Sequence, residues 1–518
     1  MFFKKMDNYF LLTTILVIYI TAWMIQSRLL INWDSSLLMR EAKLLLAGGN
    51  YVSDFFELNP PMSIYLYLFP VILTKIFHLS VMLALRIYVF LLATLSLAMC
   101  YLTIKKIFSP RDAVVSYLFF TALMIVFLIF PMMDFSEREH LLVIFTMPYF
   151  LVIATRLQGG MVNTGYGVVV GILAGIGFAI KPFFLIVFVF TELYYSISTK
   201  NRFGWVRAET KAIIFLLLIY VLSVFILYKN YLDIVVPITL RFYYQSVSDP
   251  WKTVLLHPVV LFCYYMVGLF FLIHENKNPY KALASILLIA LVGYLLAYFL
   301  QRTAWAYHQL PAVSMAILLG TLLFGIAVIR LYKSKTGFCI TPILASAIFA
   351  FPVYVMNSDY LNSLAYKNDH NNFIDFLHAY AWHKSICSFQ TSALAMFPFV
   401  DYADVSFVCR NSALSWVPNA VRQTSMSRIG NSDALQQKHK DEIFLVNMVS
   451  EDLNTRKPDF VLVDVSNKKF FPERIAFSYL KYLSGNKEFQ AAWKKYVYLI
   501  TVAQGSNDTF RVYQRIDR

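Results

Sequence analysis

Long runs of hydrophobic residues, separated by short polar segments, fill roughly the first two thirds of the chain. A helix needs about 20 mostly apolar residues to cross the hydrocarbon core of a bilayer. Lys181 and Pro182 interrupt the longest run, which we therefore divide in two, because proline ends helices and lysine avoids hydrocarbon. The pattern then predicts eleven transmembrane helices, at 9–31, 81–104, 112–132, 140–157, two within 165–198, 212–228, 256–274, 281–300, 309–330 and 338–356.

The apolar stretch 62–80 is also long enough to span a membrane, but we predict that it lies at the membrane surface or is re-entrant. Pro70 falls in its middle and Lys75 near its end, which suits a juxtamembrane helix. Leaving it out of the count places most loop lysines and arginines on one side, as the positive-inside bias of cytoplasmic loops requires. The N-terminus is then cytoplasmic, and the first loop (32–80) and the C-terminal part face outward.

Hydropathy falls and charge becomes dense after about residue 357, which predicts a second, soluble domain. In this part short β-like runs alternate with helical runs, and a closing hairpin surrounds Gly505. We predict strands at 385–389, 405–409 and 460–465, helices at 434–454 and 473–483, and hairpin strands at 497–503 and 510–514. The division is therefore a membrane module at 1–360 and an α/β domain at 361–518.

Composition agrees with a polytopic membrane protein, since 59% of residues are hydrophobic and only 14% are charged. The net charge of +15 would suit a nucleic-acid-binding protein. However, residues 1–356 contain 26 Lys and Arg against 14 Asp and Glu, whereas residues 357–518 contain 19 against 16. The excess lies in short loops between spans, so membrane topology explains it and nucleic acid is excluded as a partner.

Two of the five cysteines, Cys387 and Cys409, lie in the predicted soluble domain. They would pair in a disulfide if that domain is outside the cytoplasm, or remain two buried thiols. Cys100, Cys263 and Cys339 lie in or beside apolar spans, where small apolar residues are common.

The first polar loop contains the strongest candidate for a catalytic residue. Asp34 comes directly after the first span and next to Trp33. A carboxylate at the membrane surface is costly to keep unless it is used. It could serve as a general base, or it could cap the N-terminus of the helix predicted for SSLLMREAKLLL.

The second outward loop carries four consecutive ionisable residues between two spans, namely Glu137, Arg138, Glu139 and His140. Glu139 and His140 could together hold a divalent metal ion, and Arg138 could bind phosphate. Ordinary pairing of Glu137 with Arg138, or a helix cap at Ser136, is the structural alternative.

Further cations and aromatic residues occur where later spans reach the surface. Lys181 lies in GILAGIGFAIKP, and Arg302, Tyr307 and His308 lie in a very short loop. Phosphate binding is the functional interpretation of these residues. Snorkelling of the lysine and interfacial anchoring of the aromatic residues are the alternatives.

The order of these motifs resembles the C-type fold (GT-C) of integral membrane glycosyltransferases, whose relatives include the aminoarabinose transferase of lipid A and the protein O-mannosyltransferases. The motifs that carry the resemblance are Asp34, Gly48-Gly49, Pro60-Pro61, Arg138-Glu139-His140-Leu141, GIGFAIKP and the Gln390–Trp416 segment. The resemblance implies that periplasmic loops and juxtamembrane helices cap a cavity for lipid access. It also implies inverting transfer from a polyprenyl-phosphate sugar, with Asp34 matching the first-loop acid of the family.

Two departures from the family pattern prevent a sugar specificity from being carried over. Ser35 follows Asp34, so the acidic pair of the O-mannosyltransferases is absent. Glu139-His140 replaces the Asp-Pro step of the aminoarabinose branch.

We therefore interpret the chain as a multi-pass glycosyltransferase of a bacterial inner membrane, with a periplasmic C-terminal domain. It is expected to move a hexose or pentose from undecaprenyl phosphate to a lipid, glycan or protein acceptor such as lipopolysaccharide. Asp34, Arg138 and Glu139 are the predicted catalytic residues, with Asp34 as the base. The predicted ligands of the donor phosphate are Lys181, Arg138, Arg302, Tyr307 and His308, and Glu139 and His140 would hold a metal ion if the enzyme uses one.

Two other classes of membrane protein are the alternatives. A transporter or flippase should have two halves with matching interrupted spans and ionisable groups near the bilayer midplane. An O-antigen polymerase or ligase would share the membrane and the sugars but would lack the early acidic loop.

Overall fold

The computed structural model describes residues 2–243, 248–273, 280–331, 335–426, 433–466, 477–506 and 508–516. The chain divides into two compact units, each built from several chain segments. The first, which we call the helical unit, comprises Met1–Leu30, Leu85–Leu222 and Asp249–Ser363. The second, the mixed unit, comprises Ile31–Ala84, Ser223–Ser248 and Leu364–Arg518.

Within the described residues, eight helices are long and apolar enough to cross a membrane: Tyr9–Arg28, Val81–Ile107, Pro110–Leu128, Arg138–Leu157, Pro182–Thr199, Ala208–Leu227, Lys281–Gln301 and Ala306–Val328. Two more predicted spans are shorter apolar helices, Thr164–Ala179 and Pro258–Ile273. The eleventh falls in the 47-residue helix Lys335–Ala381. All eleven predicted segments are therefore helical, and the predicted α-helical polytopic fold is confirmed.

The predicted break at Lys181-Pro182 is present. Helix Thr164–Ala179 ends just before it, and the 3-10 turn Pro182–Phe184 leads into helix Leu185–Thr199. Proline suits the start of this turn because its missing N–H would have no helical partner there. Close packing precedes the break, since a Cβ on Gly177 would lie 2.9 Å from Thr146 Cγ2 and 3.1 Å from Phe145 Cβ.

The stretch 62–80 forms an apolar helical segment, Pro61–Phe77, that is shorter than the eight long helices. It contains two short helices, Pro61–Tyr65 and Leu68–Phe77, which end at His78 with a left-handed backbone (φ 52°). Helices of 5 and 10 residues cannot cross a bilayer core. This agrees with leaving the stretch out of the count of spans.

A five-stranded sheet forms the core of the mixed unit. Its strands are β1 (Ser385–Phe389), β2 (Ser406–Phe407), β3 (Phe460–Asp464), β4 (Tyr496–Gln504) and β5 (Asp508–Arg515), in the order β2-β1-β3-β5-β4. β1 is parallel to β2 and β3, and β5 is antiparallel to β3 and β4. The predicted α/β character is confirmed, with β2 shorter than expected.

Five helices of the C-terminal part accompany this sheet in the described residues. The longest of them, Asp433–Thr455, matches the helix predicted at 434–454. The helices in the C-terminal part are Phe399–Tyr402, Val417–Met426, Asp433–Thr455, Tyr479–Leu483 and Lys487–Trp493. The first part of the helix predicted at 473–483 falls on 473–476, outside the described residues.

Cys387 and Cys409 form a disulfide with a Cα–Cα distance of 5.5 Å, which settles the alternative left open by the sequence.

The first loop packs in the mixed unit, whereas the sequence prediction assigned it to the membrane module. Arg40, on helix Trp33–Leu46, donates to the backbone oxygens of Phe407 (2.9 Å) and Cys409 (2.6 Å). Phe56 N donates to Arg410 O at 3.0 Å, and Arg456 Nη2 donates to Ser53 O at 2.7 Å. The predicted boundary near residue 360 lies close to the division after Ser363, but Ile31–Ala84 joins the C-terminal segment.

Beside this contact, Glu41 is buried with an exposed fraction of 1%. The pKa of its carboxyl is raised to about 8, mainly by burial; the Arg40 guanidinium, 2.6 Å away, opposes this shift and nearby Glu57 adds to it. When the pKa of a carboxyl is higher in the folded than in the unfolded protein, the folded state holds the proton over the pH range between the two values. The free energy of unfolding therefore falls as pH rises through that range. Glu41 should therefore lower the stability of the fold from about pH 4.5 to about pH 8.

We predict that Glu41→Gln makes the stability of the protein less dependent on pH. Glutamine stays uncharged and can still accept a hydrogen bond from Arg40, so the apparent Tm at pH 8 should exceed that of the wild type by about 2–4 °C, with a smaller difference at pH 5. Thermal unfolding in detergent at pH 5, 6.5 and 8 measures this. Glu488→Gln, at an exposed position of the same unit, is the matched control. Parallel Tm profiles for wild type and Glu41→Gln would contradict the account.

Candidate functional site

Four of the sequence-predicted residues lie together in the helical unit, around the amino group of Lys181. Lys181 Nζ lies 2.5 Å from Glu139 Oε1 and 3.1 Å from His308 Nε2, and 5.8 Å from the centre of the Tyr307 ring. It also donates to Gln301 Oε1 at 3.1 Å. We call Glu139, Lys181, Gln301, Tyr307 and His308 the lysine cluster.

The lysine cluster forms where several helices begin or end. Glu139 lies in the first turn of helix Arg138–Leu157, and Lys181 lies at the break before Pro182. Gln301 is the last residue of helix Lys281–Gln301, and His308 lies in the first turn of helix Ala306–Leu331. Polar side chains are tolerated at such positions because they lie at the ends of apolar segments.

The hydrogen bonds determine the protonation of His308. The Lys181 ammonium can only donate, so His308 Nε2 accepts. Nδ1 then carries the ring proton and donates to the hydroxyl of Thr303. The ring is thus a neutral imidazole that is oriented from both sides.

Lys181 is buried, with an exposed fraction of 8%. Burial lowers the pKa of its amino group, and the carboxylate of Glu139 opposes that effect. An ammonium group has three N–H donors, and here they face Glu139, Gln301 and His308. A phosphate oxygen could bind Lys181 only by replacing one of these partners.

Arg138 and His140 make polar contacts within and next to the second loop. Arg138 Nη2 lies 3.1 Å from Glu137 Oε1, which is the pairing that the structural alternative anticipated. His140 accepts a hydrogen bond from Ser136 N (3.2 Å) and donates to Phe127 O (2.8 Å). Both ring nitrogens of His140 are therefore used by backbone groups.

These contacts do not fit the predicted metal site. Glu139 and His140 are successive residues of one helix, so their side chains point about 100° apart. In the described part of the chain, no three His, Cys, Asp or Glu side chains are arranged to hold a metal ion.

Asp34 lies in the mixed unit, in the first turn of helix Trp33–Leu46. The N-cap is Asn32, whose side-chain oxygen accepts from Asp34 N (2.8 Å) and Ser35 N (3.3 Å). The alternative that Asp34 itself caps the helix is therefore wrong. Its side chain is buried, with an exposed fraction of 4%, and its charge is favoured by the helix dipole.

Arg302 lies outside the lysine cluster. Its Nε donates to Asp249 O at 3.1 Å, and its guanidinium lies 5.2 Å from the centre of the Trp251 ring. These contacts hold the segment before helix Trp251–Leu255. A phosphate-binding role for Arg302 stays a prediction.

Sequence reasoning missed Gln301, Thr303 and Asn32. Gln301 had a detectable signal, because it is a polar residue at the end of an apolar span and directly before Arg302. The partnership of Thr303 with His308 and the capping by Asn32 depend on backbone geometry, which residue types alone do not give.

Comparisons with known proteins show a family match over part of the chain. Residues 59–228 match the family model of dolichyl-phosphate-mannose-protein mannosyltransferases. No curated protein sequence matches this chain significantly.

Solved structures match nearly the whole chain. ArnT from Cupriavidus metallidurans bound to undecaprenyl phosphate superposes with a TM-score of 0.56 and 10% identity over 98% of both chains. The apo form of ArnT gives a TM-score of 0.54 and 11% identity over 98% of this chain and 97% of that chain. The oligosaccharyltransferase AglB from Archaeoglobus fulgidus, in complex with an inhibitory peptide and a dolichol-phosphate, is a more distant match. It has a TM-score of 0.43 and 12% identity over 95% of this chain and 74% of that chain.

The likeness to ArnT shows the fold, and the family model adds a match in sequence that begins in the first loop and ends at residue 228. Both agree with the resemblance carried by the sequence motifs. The chain therefore has the fold of ArnT, and part of it, residues 59–228, is similar in sequence to the dolichyl-phosphate-mannose-protein mannosyltransferases.

Proposed function

We propose that this protein transfers a sugar from a polyprenyl-phosphate carrier to a hydroxyl group of an acceptor outside the cytoplasm. The bond between the anomeric carbon and the phosphate oxygen breaks, and polyprenyl phosphate leaves with the electron pair. The acceptor oxygen bonds to the anomeric carbon and gives its proton to Asp34. A single displacement of this kind inverts the configuration of the sugar.

The observation that carries the proposal is the buried Lys181 at the meeting of several helix ends. A cation kept in an apolar helical unit is expensive, and such residues usually mark substrate pathways. A leaving phosphate gains negative charge as its bond to the sugar breaks, so an oriented ammonium group stabilises that step. The ArnT structure contains undecaprenyl phosphate, and we extend that ligand class to this chain.

In the proposed donor complex, a phosphate oxygen replaces Gln301 or His308 as a partner of Lys181 Nζ. Glu139 remains paired with the ammonium and keeps it charged in its buried surroundings. His308, neutral in the structure, can turn its ring without leaving a buried charge. Arg138, Arg302 and Tyr307 are proposed as further contacts of the donor.

Asp34 is proposed as the general base because the acceptor hydroxyl must lose its proton during the displacement. The carboxylate does not cap its own helix, since Asn32 does so. The helix that carries it is held by Arg40 and by a hydrogen bond from Ser36 to Asp401. Such anchoring keeps a catalytic side chain in one orientation.

The membrane and the orientation are part of the same proposal. We place the protein in a bacterial inner membrane with the mixed unit on the periplasmic side. The GT-C fold favours this activity over the transporter alternative, and the acidic first loop favours it over a polymerase or ligase. The acceptor is a lipid, glycan or protein of the cell envelope, which includes lipopolysaccharide.

Asp34→Asn should abolish transfer and leave membrane insertion and folding intact. Asparagine has nearly the same size but cannot accept the acceptor proton, so the rate should fall at least about 100-fold. Product formation by purified protein, measured by mass spectrometry of the modified acceptor, tests this. Asp54→Asn, in the same loop, is the matched control and should retain activity. Near-normal product formation by Asp34→Asn would rule out the proposed base.

A double substitution separates the catalytic role of Lys181 from a purely structural one. Lys181→Gln alone leaves the buried charge of Glu139 without its partner, which costs about 3–5 kcal/mol of stability. Lys181→Gln combined with Glu139→Gln removes both charges, so the apparent Tm should return toward that of the wild type. Transfer by the double variant should nevertheless remain at least about 100-fold below wild type.

The matched control for this experiment is the pair of the half-buried Arg156 and the buried Glu209, whose Nη2 and Oε2 atoms lie 2.9 Å apart in the same unit. Arg156→Gln with Glu209→Gln should leave the specific activity of the folded protein near that of the wild type. If the Lys181 and Glu139 double variant regains both stability and transfer, the pair is structural and Lys181 has no part in donor binding.

A further inference from the structure

One end of the five-stranded sheet in the mixed unit forms a cleft that collects positive charge. The volume of the cleft is about 250 Å³, and its lining contains four cationic side chains, Lys384, Lys457, Lys495 and Arg515. The lining contains one acidic side chain, Asp459. Residues 357–518 as a whole contain 19 Lys and Arg against 16 Asp and Glu. The cleft is therefore far more cationic than the rest of the C-terminal part.

The four cations come from separate segments of the chain that meet where strands begin or end. Lys384 and Lys495 directly precede β1 and β4. Lys457 lies three residues before β3, and Arg515 is the last residue of β5. The starts of β1, β3 and β4 lie beside the end of β5 because β5 is antiparallel to β3 and β4. Like charges repel, so this arrangement has a cost that a bound anion would remove.

Backbone hydrogen bonds connect these segments and fix the shape of the cleft. Arg515 N donates to Asp459 O at 3.0 Å, and Ile516 N donates to Lys495 O at 2.9 Å. Asp459 N donates to Ser385 Oγ at 3.0 Å, which connects the start of β3 to the start of β1. A site that is held in this way needs little rearrangement to bind a ligand.

The single carboxylate of the lining does not neutralise the cations. Asp459 Oδ2 accepts hydrogen bonds from the backbone nitrogen and the hydroxyl of Ser385, at 2.9 and 2.7 Å. In the described part of the chain, no ion pair joins Asp459 to Lys384 or Lys457. Lys384 Nζ lies instead 5.1 Å from the centre of the Phe460 ring. The positive charge of the cleft is therefore available to a ligand.

A ligand can reach the cationic side chains from solvent. Lys457 is exposed, and Lys384, Lys495 and Arg515 are half-buried. Arg515 Nη1 donates to Leu453 O at 3.3 Å, which orients the guanidinium group. Half-buried cations interact with an anion more strongly than fully exposed ones, because water and salt screen them less.

The chemistry of the lining selects the charge and the size of the ligand. A phosphate monoester carries a charge of about −1.5 to −2 at pH 7 and offers three acceptor oxygens. A carboxylate carries a single charge and compensates less of the repulsion among four cations. Lysine binds phosphate as a point charge, and arginine binds it through paired N–H donors.

We propose that this cleft binds a small phosphate monoester, whose oxygens accept hydrogen bonds from Lys384, Lys495 and Arg515, while the exposed Lys457 adds to the positive field. The cleft is smaller than the roughly 300–1,000 Å³ of sites for drug-sized ligands, which favours a small phosphorylated compound. None of its lining residues is assigned to transfer. The binding needs no donor lipid and no reaction, so it stands independently of the proposed function.

Equilibrium dialysis of radiolabelled glycerol 3-phosphate against the full-length protein in an uncharged detergent tests the proposal. The dissociation constant should be below about 1 mM at low salt, which corresponds to about −4 kcal/mol. Glycerate, the carboxylate counterpart, and uncharged glycerol should compete at least tenfold more weakly than unlabelled glycerol 3-phosphate. Binding should strengthen from pH 5 to pH 7, because the second ionisation of a phosphate monoester has a pKa of about 6.

A pair of double variants tests the contribution of the cleft. Lys384→Gln combined with Lys495→Gln should weaken the binding of glycerol 3-phosphate at least tenfold. Lys481→Gln combined with Lys487→Gln is the matched control, because it removes the same charge from exposed positions of the same unit outside the lining. This control should bind as the wild type does.

A third double variant separates the cleft from the donor site. Lys181→Gln combined with Glu139→Gln alters the lysine cluster and should leave the binding of glycerol 3-phosphate unchanged. Absence of binding to wild type, equal competition by glycerate, unchanged binding in a folded Lys384→Gln and Lys495→Gln variant, or loss of binding in the Lys181→Gln and Glu139→Gln variant would each overturn the proposal.

The source of the phosphate monoester is a soluble compound or a lipid headgroup, and the lipid surroundings distinguish the two. Dialysis is repeated with the protein in phosphatidylcholine nanodiscs that contain either phosphatidic acid, which is a monoester, or phosphatidylglycerol, which is a diester. Equal binding of glycerol 3-phosphate in both supports a soluble ligand. Binding that is at least tenfold weaker with phosphatidic acid alone supports occupation of the cleft by the lipid headgroup.

Discussion

Charge compensation in an apolar environment is the constraint on which the helical unit depends. Lys181 is buried beside membrane-spanning helices, where an isolated ammonium group would lose its proton or destabilise the fold. Glu139, Gln301 and His308 each come from a different helix and meet its three donors. The same contacts that keep the charge therefore also fix the ends of these helices relative to one another. A phosphate that replaces one partner of Lys181 would therefore bind an ammonium group that the fold has already oriented.

In the mixed unit, arginine side chains hold the polar first loop, which carries the buried Asp34. Arg40 of the first loop donates to a backbone oxygen of the C-terminal segment, and Arg456 of the C-terminal segment donates to a backbone oxygen of the first loop. Arg410 pairs with Asp452 at 2.6 Å. Guanidinium groups suit this task because they present several donors in a fixed plane. As a result, the helix with Asp34 belongs to the same compact unit as the C-terminal sheet. The C-terminal segment thus has a structural role, because it holds the first loop in place.

Much of the fold could be predicted from hydropathy, because apolar length and charge distribution are local properties of the chain. The break at Lys181-Pro182, the non-spanning stretch 62–80 and strand β1 all had such signals. The site was harder to predict. Glu139 and His140 were predicted to share a metal site because they are adjacent in sequence. Adjacent side chains of a helix, however, point about 100° apart. Arg302 and His308 share a short loop, yet only His308 reaches Lys181.

Other features depended on contacts between distant parts of the sequence. Asn32 rather than Asp34 caps its helix, because the backbone conformation at residue 32 suits the cap. Whether Cys387 and Cys409 pair depended on the distance between β1 and the residues after β2. The first loop joined the C-terminal segment through Arg40 and Phe56, whose partners lie more than 350 positions away. No local pattern carries that information.

The claim at the centre of this account is that the carrier released by the reaction is a polyprenyl monophosphate. The most direct measurement is mass spectrometry of the lipid products of the reaction. The purified protein is incubated with an acceptor extract and with a sugar linked either to polyprenyl phosphate or to polyprenyl pyrophosphate. The account predicts that polyprenyl monophosphate accumulates in proportion to the sugar transferred, and only from the monophosphate-linked donors. Turnover of the pyrophosphate-linked donors instead, with release of polyprenyl pyrophosphate, would contradict it.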